Sequence, residues 1–288
     1  MSRFRSADEV RERLGAVQYL VDEPVAVTVY LADRLDKPIL CEGPAGVGKT
    51  ELAKSLAQAA GHRLIRLQCY EGLDEARALY EWNYKKQLLR IQADAGATDW
   101  HRVEQDVFTE DFLLARPLLA AIRSAEPVVL LIDEVDRVEV ETEALLLEIL
   151  SEWQVSIPEL GTVVAVRQPL VVLTSNNTRE LSEALKRRCL FLHMDYPDVE
   201  REAAIVRARV PGIEAAFAEQ IARVVRSIRA MDLKKPPSVA ETLDWARSLL
   251  LLGVTVIDAG VVDRTLAILL KYQQDLERAR RDLAVPPA

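Results

Sequence analysis

The 288 residues are half apolar and carry a formal net charge of −8, with no run of Lys or Arg longer than a triplet. The apolar content allows a sizeable core, whereas the lack of a basic stripe argues against nucleic acid as the main partner. The longer apolar runs, such as those at 128–132 and 249–252, fall far short of the roughly 20 residues that a membrane helix needs, so no stable membrane insertion is predicted.

The N-terminal stretch MSRFRSADEV is charged and lacks the apolar segment of a signal peptide. The three cysteines, Cys41, Cys69 and Cys189, are scattered and form no CxxC pair, and the three histidines are scattered as well. This usage is typical of a reduced, cytoplasmic chain without a Cys- or His-based metal site.

Residues 37–195 alternate between short apolar runs, typical of strands, and stretches of helical periodicity. Helices are predicted at 50–60, where Gly61 is the stop signal, and at 142–153, with Trp153 in the core. The predicted strands are PILCEG, RLIRLQC, PVVLLIDE and QPLVVLTSNN, and the last two are continuous enough for burial on both faces. Alternation of this kind predicts a parallel α/β sheet.

Two stretches interrupt the alternation. Residues 72–125 are charged and mostly helical in pattern, and in them Tyr80, Tyr84 and Leu88 have a helical spacing that favours packing over a binding surface. The stretch QVSIPELGTVVAV is predicted to be a hairpin, because Pro and Gly punctuate two alternating segments. Ile157 and Leu160 at its tip are predicted to be exposed and to contact a substrate or partner.

After residue 196 the strand signals stop, and 198–282 is predicted to be helical throughout. Ser238 and Glu241 have the spacing of a capping box, which predicts a helix that begins there. A final helix ending in ERARRD is marked by Val262, Leu266, Leu269 and Leu276. The predicted domains are an α/β nucleotide-binding core at 1–196 and an all-α domain at 197–288.

The segment GPAGVGKT, residues 43–50, fits the pattern G-x-x-x-x-G-K-[ST] between a predicted strand and a predicted helix. Its glycines let backbone N–H groups approach phosphate oxygens, and the helix that follows presents its positive N-terminal end. Lys49 is predicted to reach the β- and γ-phosphates of a nucleoside triphosphate, and the Thr50 hydroxyl to ligate Mg²⁺. The predicted nucleotide-binding residues are Gly43, Pro44, Ala45, Gly46, Val47, Gly48, Lys49, Thr50 and Glu51.

Two other predicted strands end in polar residues that suit the same chemistry. Asp133 is predicted to hold Mg²⁺, and Glu134 to orient or deprotonate the attacking water. Asp136 and Arg137, which follow, are predicted to be structural. Asn176, with Asn177 in reserve, is placed to hold the water or sense the γ-phosphate, although an Asn-rich turn is the competing interpretation.

The stretch ALKRRC contains Arg187 and Arg188. Both arginines could be ordinary surface charge. They could instead reach the nucleotide of a neighbouring subunit, where a guanidinium neutralises charge in the transition state. The spacing leaves these alternatives open.

Together these motifs resemble the AAA+ ATPases, and within them the MoxR-type branch. The Walker A segment is GPAGVGKT, the Walker B segment VVLLIDEVDR, the sensor-1 stretch LTSNN and the arginine-finger stretch ALKRRC. The resemblance implies an AAA+ P-loop core of parallel strands sandwiched by helices, followed by a C-terminal helical lid. It also implies Arg188 as the arginine finger, with Arg187 as the alternate.

Longer stretches narrow the resemblance. EWQVSIPELGTVV looks like the helix-2 β-hairpin insert of the MoxR-type clade, and YEGLDEARALYEWNYKKQLLRIQ and PPSVAETLDWARSL are similar to the subgroup associated with carbon monoxide dehydrogenase maturation. This implies a homo-oligomeric ring, hexameric in the family, that remodels a client metalloenzyme of the molybdenum/copper type during cofactor insertion. A von Willebrand factor A-domain protein is the expected partner.

One position departs from the family. Val239 stands where the lid usually carries a sensor-2 arginine, and Arg247, Lys234 and Lys235 are not secure replacements. Two other functions compete with the remodelling ATPase. They are a clamp-loader-like ATPase associated with nucleic acid and a nucleotide switch that does not hydrolyse ATP.

Overall fold

The computed structural model describes residues 3–93 and 107–283, and these form two compact units. The first comprises the described residues of Met1–Val17, Val21–Glu42 and Thr50–His193. The second comprises Gln18–Leu20, Gly43–Lys49 and the described residues of Met194–Ala288. Because the second unit also includes two short segments from the N-terminal part of the chain, the domain boundary at residue 196 stays a prediction.

The first unit is built on a parallel sheet of five strands. These strands are β1 (Ile39–Glu42), β2 (Arg63–Gln68), β5 (Val128–Asp133), β8 (Leu170–Ser175) and β9 (Leu190–His193). Their order in the sheet is β2-β5-β8-β1-β9. Every position of β5 and β8 is buried, as expected for central strands covered on both faces. The predicted parallel α/β sheet is confirmed.

The edge strand β9 was not among the predicted strands. It has four residues, and Phe191 and His193 on it are exposed. A strand this short, with one face towards water, lacks the continuous apolar run that marks β5.

The helices that flank the sheet follow local signals closely. α3 (Lys49–Ala60) ends where Gly61 has φ of +66°, since glycine adopts this left-handed conformation at little cost. The other long helices of the unit are α1 (Ala7–Ala16), α2 (Glu23–Leu35) and α7 (Val140–Glu152), and the short α8 spans Glu183–Arg188. Trp153, the C-cap of α7, is only 9% exposed, which confirms its predicted place in the core.

The segment 72–125 is less helical than its pattern predicts, and residues 94–106 of it lie outside the described residues. Its elements are α4 (Glu75–Ala78), β3 (Tyr80–Trp82), α5 (Tyr84–Ala93), β4 (Leu113–Ala115) and α6 (Pro117–Ile122). β3 and β4 pair antiparallel, a pairing of distant segments that local periodicity cannot reveal. Tyr80 packs against the core, but Tyr84 and Leu88 are 62% and 58% exposed, so the packing interpretation is wrong for these two.

The predicted hairpin is present as β6 (Gln154–Ile157) and β7 (Gly161–Val164), directly after α7. Its apolar tip is not exposed as predicted. Ile157 is 1% exposed, and Leu160 is partly buried against the same core. The strand alternation places Val155 and Ile157 on the inward side together. The exposed apolar side chains lie instead in and just after β7, at Val164 and Val166.

In the second unit the elements after residue 196 are all helices, as predicted. They are α9 (Val199–Arg209), α10 (Ala215–Arg229), α11 (Val239–Leu251), α12 (Ala259–Leu269) and α13 (Gln273–Asp282). The capping box before α11 is confirmed, with Glu241 N–H donating to Ser238 Oγ at 3.2 Å and Ser238 N–H donating to Glu241 Oε2 at 2.7 Å.

The predicted single final helix is wrong, because the chain breaks between α12 and α13. Leu270 has an extended backbone and is 1% exposed. Leu270 is buried in the helical core of the second unit. The helix ends before it because this burial is reached with an extended backbone, which local helical periodicity cannot reveal. Within the described residues, every helix is too short or too polar for a transmembrane segment.

Candidate functional site

The phosphate loop, residues 43–50, joins β1 to α3. Gly43, Gly46 and Gly48 have φ angles of +153°, +82° and +103°, a conformation that residues with a β-carbon rarely adopt. Space is also restricted. A β-carbon at Gly43 would lie 1.8 Å from the backbone oxygen of Met194, and one at Gly46 would lie 2.2 Å from Cβ of Ser238. The glycines of the motif are therefore required by both backbone angle and close packing.

Lys49 is 5% exposed, and its ammonium group is held by the loop itself. Nζ donates to the backbone oxygens of Gly43 and Pro44, each at 2.7 Å. A buried charge is costly unless it is hydrogen-bonded, and these carbonyls supply the acceptors. The Lys49 side chain thus folds back onto the start of the loop, at Gly43 and Pro44.

Replacement of Gly43 by alanine is expected to lower stability by about 1–3 kcal/mol, because the left-handed angle and the contact with a rigid backbone both oppose a β-carbon. Thermal unfolding measures the change. Gly15→Ala is the matched control, since Gly15 lies within α1 at an ordinary angle with no atom within 4 Å of an added β-carbon. A Gly43→Ala variant as stable as Gly15→Ala would contradict this explanation of the loop.

Asp133 lies at the carboxyl end of β5, is 2% exposed and collects donors from three segments. Its Oδ1 accepts from the Thr50 hydroxyl at 2.9 Å and from the Thr174 hydroxyl at 2.6 Å. Its Oδ2 accepts from Arg66 Nη2 at 2.5 Å. Thr174 comes close because Ile132 of β5 lies opposite Leu173 of β8. The parallel sheet therefore brings Thr50 and Asp133, the two predicted Mg²⁺ ligands, together.

Glu134 follows in a left-handed conformation, with φ of +57°. For a non-glycine residue this costs of order 1–3 kcal/mol and is seen mainly where the surroundings enforce it. The enforcing contact is its N–H, which donates to the Thr174 hydroxyl at 2.9 Å. Its carboxylate accepts from Arg137 Nε at 2.8 Å and remains partly exposed. Arg137, predicted to be structural, thus contacts the candidate general base directly.

The loop after β8 is fixed by Asp136. This buried carboxylate accepts from the backbone N–H and the hydroxyl of Thr178, at 3.0 and 2.6 Å. Burial alone would raise the pKa of Asp136, but the Thr178 hydrogen bonds outweigh it and the pKa lies below its usual value. Asn176 is half-buried directly after β8, whereas Asn177 is exposed with φ of +57°, a conformation that asparagine tolerates in turns.

The acidic residues also affect the neighbouring thiol. Cys69 N–H donates to the backbone oxygen of Asp133 at 2.8 Å. Burial, reinforced by the negative charges of Asp133, Asp136 and Glu134, raises the pKa of Cys69 to about 12. The thiol is therefore protonated at neutral pH and is unsuited to act as a nucleophile.

Arg187 and Arg188 lie on the exposed last turn of α8. Arg188 donates from Nε to the Ser151 hydroxyl at 2.7 Å and from Nη1 to the Ala184 oxygen at 3.1 Å. These contacts leave the Arg188 side chain at the surface, and none of them is with Asp133 or Glu134. An exposed arginine pair is compatible with both interpretations that the spacing left open.

Thr174 and Arg66 were not among the residues predicted to contact Asp133. Thr174 stood in the sensor-1 stretch, and its polar side chain at the end of a buried strand was a usable signal, since parallel strands bring their carboxyl ends together. Arg66 lies within β2, two residues before the end of that strand, and its sequence context carries no comparable signal.

The chain is similar to known proteins over most of its length. Residues 38–189, more than half of the chain, match the family described as AAA domain (dynein-related subfamily). An uncharacterized protein of Staphylococcus haemolyticus is 26% identical over 235 residues, which cover 80% of this chain and 81% of that protein. A Staphylococcus aureus relative, also uncharacterized, is 26% identical over 222 residues, covering 75% and 76% of the two chains.

Solved structures of RuvB from Thermotoga maritima have a similar fold. One point mutant superposes with a TM-score of 0.52 at 18% identity, covering 92% of this chain and 71% of that one. A second has a TM-score of 0.52 at 19% identity, covering 93% and 73%. This likeness supports an AAA+ P-loop fold with a C-terminal helical region.

Proposed function

Because the chain belongs to the AAA domain family, in its dynein-related subfamily, we propose that it binds ATP with Mg²⁺ and hydrolyses it. The observation that carries the proposal is the hydrogen bond between Thr50, the last residue of the phosphate loop motif, and Asp133 at the end of β5. The two groups of the family motif that handle the metal are 83 residues apart in sequence and in contact.

The residues fit both ligands. Backbone angles at Gly43 and Gly46 exclude a β-carbon, so main-chain N–H groups can approach a phosphate closely. Lys49 supplies a cation to the same loop. The Thr50 hydroxyl and the Asp133 carboxylate are hard oxygen donors, 2.9 Å apart, of the kind that Mg²⁺ prefers.

In this proposal each side chain has one task. Lys49 exchanges its carbonyl partners for phosphate oxygens, and Thr50 and Asp133 hold the metal, which when bound neutralises charge on the phosphates. Glu134 releases Arg137 and accepts the proton of the attacking water. Asn176 orients that water. Pro44, Ala45, Val47, Gly48 and Glu51 complete the nucleotide-binding segment.

Ring assembly and client remodelling are proposed from the exposed arginines of α8 and from the resemblance to MoxR-type ATPases. Arg188, with Arg187 as the alternate, lies in the exposed last turn of α8, and in this proposal its guanidinium enters the site of an adjacent copy. The proposed assembly is a homo-oligomeric ring, with six subunits as the resemblance implies. Its work would be chaperone-like remodelling of a client metalloenzyme, such as carbon monoxide dehydrogenase, in the cytoplasm with a von Willebrand factor A-domain partner.

The test is steady-state phosphate release from Mg-ATP by the purified chain and by Lys49→Ala. Loss of the ammonium is expected to weaken ATP binding about 10- to 100-fold, since charge-assisted hydrogen bonds to phosphate are lost. Lys54→Ala, on the same helix but half-exposed and paired with Glu51, is the matched control. If the wild type hydrolyses no ATP, or if Lys49→Ala has the same KM and kcat for ATP as the wild type, the proposal is wrong.

The same assay separates the competing functions. A nucleotide switch would bind ATP without turnover, and an ATPase associated with nucleic acid would be stimulated by duplex or single-stranded DNA. The hairpin segment VSIPELG carries no cation, which supports the remodelling role over a pore that binds nucleic acid.

A further inference from the structure

Two backbone carbonyls of the phosphate loop accept hydrogen bonds from other parts of the second unit. The Tyr196 hydroxyl donates to the Ala45 oxygen at 3.2 Å, and Val239 N–H donates to the Gly46 oxygen at 3.1 Å. In a planar trans peptide the C=O and the following N–H point in opposite directions. Donors that fix the direction of these two carbonyls therefore turn the N–H groups of the next residues, Gly46 and Val47, to the opposite side.

Tyr196 and Val239 are 43 residues apart in sequence, yet one side chain contacts the segments that carry both. The guanidinium of Arg229, the last residue of α10, lies over the Tyr196 ring, 4.4 Å from its centroid. Arg229 Nε also donates to the Pro237 oxygen at 2.8 Å, two residues before Val239. Arg229 thus contacts both parts that hydrogen-bond to the loop: the ring of Tyr196 and the segment just before Val239.

Arg229 is in turn fixed by a nearly buried ion pair. Its Nη1 and Nη2 contact the two carboxylate oxygens of Glu202 at 2.5 and 2.9 Å, and the side chains are 8% and 1% exposed. The Thr242 hydroxyl donates to the same carboxylate at 2.8 Å. A bidentate pair sets the orientation of the guanidinium plane. A buried pair is weak evidence for stability, because apolar residues of equal volume often stabilise as much, so a positioning role is the better explanation.

We propose that Arg229, oriented by Glu202, positions Tyr196 and the first turn of α11 against the phosphate loop, so that the loop is held ready to bind phosphate. The inference rests on the proposed ATP binding and deepens it. Val239 stands where the resemblance places an arginine, and here the same position contacts the loop through its backbone N–H. The helical segment would then support nucleotide binding through the shape of the loop, without placing a cation on the nucleotide.

Tyr196→Phe tests the contact with little disturbance, because it keeps the ring under Arg229 and removes only the hydroxyl donor. Dissociation constants for ATP and ADP, measured by titration calorimetry with Mg²⁺, are expected to rise about three- to tenfold, the effect of one hydrogen bond. In turnover assays KM should rise with kcat unchanged, the pattern of lost uniform binding. Tyr272→Phe, whose ring contacts Lys234 in the same unit, is the matched control.

The ion pair is tested without leaving a buried charge. Arg229→Gln combined with Glu202→Gln keeps hydrogen-bonding groups and removes both charges, so the variant should fold, as judged by circular dichroism and cooperative unfolding. Its dissociation constants should rise about tenfold. Adding Tyr196→Phe to this variant should raise the dissociation constants by a smaller factor than Tyr196→Phe does in the wild type. The reason is that both changes disturb the same contact between Tyr196 and the loop.

The outcomes are distinguishable. If the wild type binds ATP and the folded Tyr196→Phe and paired Gln variants bind it equally well, the positioning role is wrong and the proposed function stands. Fully additive effects on binding would also overturn it, because Tyr196 would then act independently of Arg229. If the wild type binds neither ATP nor ADP, the proposed function fails and this inference fails with it.

Discussion

Glu134→Gln is expected to lower kcat for ATP hydrolysis by about 10²- to 10⁴-fold while ATP still binds, since a positioned general base contributes about this much. Glutamine keeps the size of the side chain and cannot accept the proton of water. The hydrogen bond from Glu134 N–H to Thr174 is a backbone contact, so the loop should keep its conformation. Single-turnover phosphate release and a parallel binding titration measure the two effects separately.

The matched control is Glu139→Gln, an exposed carboxylate five residues further on whose side chain makes no capping hydrogen bond to α7. It should hydrolyse ATP at the wild-type rate. If Glu134→Gln does so as well, Glu134 is not the base. An inactive variant that binds ATP has a further use. Loaded with ATP in a cell extract, it should retain the assembled ring and its client for identification.

Arg188→Ala is expected to reduce ATP hydrolysis by about 10³- to 10⁵-fold relative to the wild type, because in the proposed ring its guanidinium completes the site of an adjacent protomer. Arg188 lies in the exposed last turn of α8, where it donates hydrogen bonds to Ser151 and to the backbone of Ala184. Its side chain is therefore at the surface, where an adjacent protomer can contact it. Specific activity should also rise with protein concentration in the wild type, because an isolated protomer lacks the arginine. Turnover measured across a dilution series, together with light scattering, tests both points.

Two neighbours serve as comparisons. Lys186→Ala removes a cation from the same turn, where it pairs with Glu180, and should leave hydrolysis unchanged. Arg187→Ala distinguishes the two candidate fingers. Mixing the impaired Lys49→Ala and Arg188→Ala proteins should restore some turnover, because about a quarter of the head-to-tail contacts in an equimolar mixed ring would join two intact halves. Full activity of a monomeric Arg188→Ala protein would refute the shared site.

The sequence was informative wherever a short segment specifies its own structure. The continuous apolar run of β5, the stop at Gly61 and the capping box at Ser238 and Glu241 were all predicted and are present. Each depends on contacts within a few residues or on burial of a whole strand. The same kind of signal failed for 72–125, where β3 and β4 pair across a long stretch of chain.

Side-chain exposure was predicted less well. Ile157 was placed at an exposed tip and is buried, whereas Tyr84 and Leu88 were placed in a core and are exposed. Periodicity tells which residues share a face of a strand or helix. It does not tell which face meets the rest of the protein, because that depends on elements elsewhere in the chain.

In the candidate site, too, local sequence predicted some features and tertiary contacts decided others. Sequence alone predicted the phosphate loop, because a fixed spacing of glycine, lysine and hydroxyl residues is itself the chemical requirement. It also predicted the carboxylates after β5, because they directly follow a continuous apolar strand. Only the tertiary structure decided that Thr174 and Arg66 share Asp133, and that Tyr196 and Val239 donate hydrogen bonds to the loop. Those contacts join residues far apart in sequence, and their geometry arises from strand register and helix packing, which no local pattern encodes.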